Sequence, residues 1–169
     1  YNAKGVDVPA AFAHKREFHS LAGLRDAEAM TNDELILLDV DVLAPCALEQ
    51  VITHENAAEV KAKIVAEGAN GPITPVADEI LEEKGVLILP DILANAGGVV
   101  VSYFEWVQGL QEYFWKEPEV NSKLRDIVTR AFNETWQVCE DRQTSMRNAA
   151  YGLAVGRVAE ATVTRGLYP

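Results

Sequence analysis

Three short aliphatic runs set the limits on what this chain can become. Val40 to Ala44, Lys63 to Glu67 and Val86 to Leu89 are rich in β-branched or aliphatic residues, and Pro45, Gly68 and Pro90 close them. A short apolar run bounded by turn residues reads as a buried strand of a parallel sheet. Between the runs lie segments with helical signals. Thr53 opens one, carried through Glu55, Ala58 and Val60. Thr74-Pro75 opens another, an N-cap with proline at the first helical position, which runs through Ile80 and Leu81 and stops at Gly85. Strands alternating with helices mean βαβ units, so the predicted class is α/β with a parallel sheet.

The flanks are helical. Pro9 opens an alanine-rich helix to about Leu21, and Thr31 with Glu34 three residues on forms a capping box. From Val99 onward the pattern is wholly helical. Val99, Tyr103, Trp106, Val107 and Leu110 share one face, and Glu117-Pro118-Glu119 breaks that helix. A second helix runs from about Val120 to Cys139, with Leu124, Ile127, Val128, Ala131, Phe132 and Thr135 at helical spacing. A third runs from Arg147 to about Arg165, carrying Ala149, Ala150, Gly152, Ala154, Gly156 and Ala159. These aromatic and small-residue stripes read as core.

Charge and cysteine usage narrow the partners. A net charge of −11 argues against nucleic acid, because phosphate binding needs clustered Lys and Arg. No apolar run approaches the roughly 20 residues of a membrane helix. Cys46 and Cys139 are too few for a disulfide framework and suit a reducing compartment, with the cytoplasm expected, or the mitochondrial matrix in a eukaryote. His14 and His19 have no Cys or carboxylate at ligand spacing, so no metal site is expected. No signal peptide is visible, and a first residue of Tyr1 rather than Met is expected of a fragment or processed product.

The strand exits carry the candidate site. Asn70 follows the second run, and Asn95-Ala96-Gly97-Gly98 follows the third. Ligands of open α/β sheets bind beyond the carboxyl ends of the strands, and glycine lets backbone approach closely. The same glycines also fit a plain helix entry, and each asparagine alone fits a turn.

Three motifs carry a resemblance: Glu67-Gly68-Ala69-Asn70-Gly71-Pro72, then Pro90-Asp91-Ile92-Leu93-Ala94-Asn95-Ala96-Gly97-Gly98-Val99, then Ser102-Tyr103-Phe104-Glu105-Trp106. Their order and spacing resemble those of the amino-acid dehydrogenases, specifically glutamate dehydrogenase. The opening Tyr1 to Asp7 and the closing Arg165-Gly166-Leu167-Tyr168-Pro169 match too, so the likeness runs the length of the chain but covers only the C-terminal part of such an enzyme. It implies the second half of a Rossmann-type dinucleotide-binding domain over residues 1–95, followed by a C-terminal helical segment over 96–169. It implies NAD or NADP as cofactor, with Asn70, Asn95, Cys46 and Ala47 touching it. A carboxamide that both donates and accepts suits a ribose hydroxyl or a nicotinamide amide. At Cys46 the family commonly has alanine. Val99 and Ser102 would face the substrate, with the Ser102 hydroxyl reaching the side-chain carboxylate of L-glutamate. The alternative for Ser102 is a helix hydroxyl bonded one turn back.

Parts of the family pattern are missing. The chain has no G-x-G-x-x-G and no acidic residue in its wake. Lys4, Lys15, Lys61 and Lys63 lie in no context resembling the family's catalytic lysine, and the catalytic aspartate is absent too. The complete enzyme would be a homo-oligomer, typically a hexamer, converting L-glutamate to 2-oxoglutarate and ammonia. The chain alone is expected to be inactive. The alternatives are an inactive packing module and a dehydrogenase of another amino acid, such as leucine or phenylalanine. Removing the first half of the sheet should leave an apolar strand edge exposed.

Overall fold

The computed structural model describes residues 1–166; Leu167, Tyr168 and Pro169 of the closing motif lie outside the described residues. The strands are β1 (Val42–Leu43), β2 (Ile64–Ala66) and β3 (Leu87–Leu89), all parallel in the order β1-β2-β3. Val42 pairs with Ile64, and Val65 pairs with Leu43 on one side and Ile88 on the other. The α/β class expected from the three aliphatic runs is the one that forms. β1 is shorter than its run, because it pairs on one side only and leaves Val42 exposed, as expected of a sheet edge.

The helices are α1 (Val8–Phe18), α2 (Asn32–Ile36), α3 (Pro75–Glu83), α4 (Asp91–Ala94), α5 (Gly97–Gln111), α6 (Glu117–Arg142) and α7 (Met146–Arg165). The capping box forms at α2: Thr31 N–H donates to Glu34 Oε2 at 2.8 Å, and Glu34 N–H donates to Thr31 Oγ1 at 3.2 Å. α3 starts at Pro75, although the Thr74 side chain makes no capping bond. Gly85, with φ of +76°, turns the chain into β3.

The helix expected from Thr53 is instead a single 3₁₀ turn, Ala57–Glu59. The Asn56 side chain accepts from Thr53 N–H and donates to the Val51 carbonyl. Lys84 Nζ, from beyond α3, then donates to the carbonyls of Ala57, Ala58 and Val60. This stitch closes the core of Ile36, Ile52, Ala57, Val60, Val65, Ile73, Ala77, Leu81 and Ile88.

The α5 stripe corrects the expectation that it is core. Phe104 is the buried residue of α5, while Val99, Tyr103, Trp106 and Leu110 are exposed. α6 packs against α5, and Phe104 meets Trp115, in the connection between the two helices, edge-on at 5.4 Å between centroids. Pro118 falls in the first turn of α6; the break is made earlier by Glu112, at φ +52°. On α6, Thr135 is buried and the other expected positions are half-buried. On α7 only the first part of the small-residue stripe is core: Ala149 and Ala150 are buried, whereas Gly152, Gly156 and Ala159 are exposed.

The N-terminal segment is bound loosely. α1 has no buried residue, although Asp7 caps it by accepting from Ala10 N–H. Tyr1 holds to Glu28 through reciprocal bonds of 2.8 Å at their main chains.

Candidate functional site

The three strand exits are tied together at the carboxyl edge of the sheet. After β1, the Pro45 carbonyl accepts from Ala69 N–H at 2.8 Å. Gly68 lies against Cys46 so closely that a Cβ at Gly68 would stand 2.5 Å from the Cys46 sulfur. A larger residue at Gly68 would force the Cys46 side chain to move, so glycine lets the second exit lie against the first as it stands. After β3, Asp91 Oδ2 accepts from Gly71 N–H at 2.9 Å, so the third exit holds the second. Gly71 has φ of +53°, and its carbonyl accepts from Gln50 N–H.

This scaffold brings Asn70 and Asn95 together. Asn95 Nδ2 donates to Asn70 Oδ1 at 2.6 Å and lies 3.4 Å from the Ala69 carbonyl. One carboxamide thus fixes the other. Asn70 Nδ2 and Asn95 Oδ1 make no hydrogen bond among the described residues, so the pair presents a donor beside an acceptor. That is the complement of a primary amide or a hydroxyl. Gly97 and Gly98 open α5 next to this pair in sequence. A Cβ at Gly98 would meet nothing within 4 Å, and one at Gly97 only Leu124 at 3.9 Å. Packing within the chain therefore does not require glycine there, and the surface at this point is open.

Beneath the pair lies a charged cluster that sequence reasoning missed. Glu67, at the end of β2, is fully buried. Arg147, in the first turn of α7, meets it with two parallel bonds, Nη1 to Oε2 at 2.9 Å and Nη2 to Oε1 at 2.8 Å. The guanidinium also donates to Asp78 Oδ1 of α3 from Nε and Nη2, at 3.0 and 2.9 Å. Asp91 Oδ1 lies 3.8 Å from Nη1, and Asp91 N–H donates to Glu67 Oε2 at 2.7 Å. Burial works against the Arg147 charge, but the bonds from Glu67 and Asp78 outweigh it and hold the guanidinium above its ordinary value. Bidentate pairing of this kind makes a buried carboxylate tolerable. The signal in the sequence was slight: one acid closing an aliphatic strand, and one arginine opening a small-residue helix.

The other expected site residues are dispersed around this centre. Cys46 and Ala47 are exposed at the carboxyl end of β1, and Cys46 Sγ donates to the Ala44 carbonyl at 3.3 Å. Val99 and Ser102 lie one turn apart on the exposed face of α5. Ser102 makes no bond one turn back, unlike Thr135 and Thr162, so its hydroxyl has no partner among the described residues. Among the described residues no group of His, Cys, Asp or Glu could hold a metal ion, and no helix is long and apolar enough to cross a membrane.

Comparison with known proteins gives this geometry a context. The family model for glutamate/leucine/phenylalanine/valine dehydrogenase matches residues 1–166. The glutamate dehydrogenase of Thermotoga maritima is 52% identical over 169 residues, all of this chain and 41% of that protein. The crystal structure of the hetero-hexameric glutamate dehydrogenase of Thermus thermophilus, in a Leu-bound form, superposes with a TM-score of 0.91 at 34% identity, over 100% of this chain and 40% of that one. The glutamate dehydrogenase of Peptoniphilus asaccharolyticus gives 0.81 at 36% identity, over 99% and 37%. The chain therefore spans about two fifths of the length of the relatives it matches.

Proposed function

The chain belongs to the glutamate/leucine/phenylalanine/valine dehydrogenase family, and from that premise we propose that it is the part of an NAD(P)-dependent glutamate dehydrogenase that orients the nicotinamide end of the cofactor beside the substrate. The observation that carries this reading is the Asn95–Asn70 bond at the carboxyl edge of the sheet, which leaves a donor and an acceptor side by side. When bound, the cofactor supplies the hydride-accepting ring for oxidative deamination of L-glutamate to 2-oxoglutarate and ammonia. Asn70 and Asn95 bind the amide or ribose groups next to that ring and fix its face. They are uncharged across the working pH range, which suits orientation rather than proton transfer. The open surface at Gly98 admits the ring closely, and Cys46 and Ala47 line the first strand exit beside it. The Ser102 hydroxyl donates to the side-chain carboxylate of glutamate, with Val99 one turn earlier on the same face.

The remainder of the complete enzyme brings the pyrophosphate site and the catalytic lysine and aspartate, and covers the exposed Val99–Tyr103–Trp106 face. The 169-residue chain alone binds the cofactor weakly and turns nothing over. In the complete enzyme, Asn95→Ala raises the Kd for NAD(P) about tenfold, the loss of one or two buried hydrogen bonds. Fluorescence titration of the cofactor measures this, and an unchanged Kd overturns the reading. Ser102→Ala raises KM for glutamate while leaving cofactor affinity as it was.

A further inference from the structure

We propose that Asp91 is a positioning residue for the asparagine pair, holding the loop of Asn70 at a fixed distance from the loop of Asn95. This rests on the cofactor reading above and adds the element that sets the geometry of the site. The Asp91 carboxylate bonds to neither asparagine, although its main-chain carbonyl accepts from Asn95 N–H at 3.0 Å. It belongs to the loop that ends in Asn95, and its carboxylate reaches across to the loop of Asn70. One oxygen accepts from Gly71 N–H, immediately after Asn70, at 2.9 Å. The other accepts from Ile92 N–H at 2.7 Å and lies 3.8 Å from Arg147. Its own N–H is bound by the buried Glu67 carboxylate at 2.7 Å. Asp91 is thus clamped from below by the Glu67–Arg147 pair and clamps Gly71 from the side.

A competent Asn70–Asn95 arrangement needs two loops, 20 residues or more apart in sequence, in register to a fraction of an ångström. Few contacts cross between them directly. Among the described residues these are the Asp91–Gly71 bond, the Glu67 bonds of the strand ends, the Asn95 contact with the Ala69 carbonyl, and the asparagine pair itself. Only the first joins the two loops at the residue next to Asn70 through a charged acceptor, the stronger kind of hydrogen bond. Asp78 is the internal contrast. It binds the same Arg147 from α3 but sends no bond to either loop.

The test compares the two aspartates in the complete enzyme. Asp91→Ala is expected to raise the Kd for NAD(P) about tenfold and to speed hydrogen exchange of the peptide containing Gly71, with Asn70 and Asn95 both intact. Asp91→Asn keeps an oxygen that can accept from Gly71, so most of the affinity returns. Asp78→Asn lowers the melting temperature but leaves the Kd within about twofold of the parent, since it loosens Arg147 and not the loops. If Asp91→Ala fails to assemble, Asp91→Ser carries the same expectation, because its hydroxyl is too short to reach Gly71. An unchanged Kd and exchange rate in the Asp91 variants overturns the inference, and so does an equal loss of affinity in Asp78→Asn. Asn95→Ala separates the two claims. Lost affinity there with none lost in Asp91→Ala overturns the positioning role alone. No loss in Asn95→Ala overturns the cofactor reading.

Discussion

The loops at the sheet's carboxyl edge and the N-terminal segment each carry apolar and charged residues and end in opposite conditions. At the sheet edge, Glu67 is fully buried and each of its carboxylate oxygens is engaged by Arg147. In the N-terminal segment, Phe12, Phe18 and Leu21 stand exposed, and α1 has no buried residue. Apolar character alone therefore does not decide what is buried here. Long-range polar closure decides it: Arg147 joins β2, α3 and the start of α4 to α7, whereas the bonds of the N-terminal segment stay within its first 28 residues or so.

Substitutions can break or sharpen that contrast. The largest effect is expected from Arg147→Met, which leaves Glu67 buried without its partner and costs about 3–5 kcal/mol. Urea unfolding of the chain reads it. Adding Glu67→Gln to that variant should recover part of the loss, because the uncompensated charge is gone. A loss under about 1 kcal/mol for the single variant would mean that Glu67 finds water or a proton instead.

Next come matched apolar truncations. Leu81→Ala, in the core, is expected to cost about 2–5 kcal/mol, whereas Phe12→Ala on α1 should stay within about 0.5 kcal/mol. Equal costs would erase the distinction between the two regions. A smaller effect separates the thiols. Cys46 is exposed, while Cys139 is half-buried, bonded to the Thr144 carbonyl, and pushed up by burial. Iodoacetamide should therefore modify Cys46 first, with Cys139 following as the pH rises. Mass mapping of the labelled peptides decides the order.

The smallest effect lies at the capping box. The Thr31 backbone and hydroxyl bonds hold the Glu34 carboxyl below its ordinary value. Its ionised form is thus favoured in the folded state, so its contribution is present above the unfolded value and lost as pH falls through the folded one. The exchange protection of residues 32–36, measured relative to the intrinsic rate at each pH, should fall on acidification, and Thr31→Ala should abolish that loss of protection.

What could be read in advance was local. The three aliphatic runs with their closing Pro and Gly located the strands, and Thr31 with Glu34 located a helix start, because each signal lies within a few residues of what it specifies. The meeting of Asn70 with Asn95 was legible only as two strand exits on one edge of a parallel sheet. Arg147 was not legible, since nothing near it in sequence marks Glu67 as its partner. The α5 stripe failed for another reason. Periodicity finds the apolar face of a helix but not what covers it, and Phe104, off the stripe, is the buried residue, packed against Trp115. The helix expected from Thr53 stopped at the single turn Ala57–Glu59, where the Lys84 side chain takes the carbonyls of Ala57, Ala58 and Val60.

The span of the Glu67–Arg147 pair, 80 residues, also orders events in time. A chain made from its N-terminus exposes the sheet and both asparagine loops well before α7 exists. Until Arg147 emerges, the Glu67 carboxylate has no cation to enter the interior with, so it stays hydrated and the end of β2 stays open. Closing so long a loop is slow compared with forming any of the helices. The two asparagine loops are thus translated before α7 and set only after it. A ribosome stalled before residue 147 would hold a chain with its strands made and its site unformed.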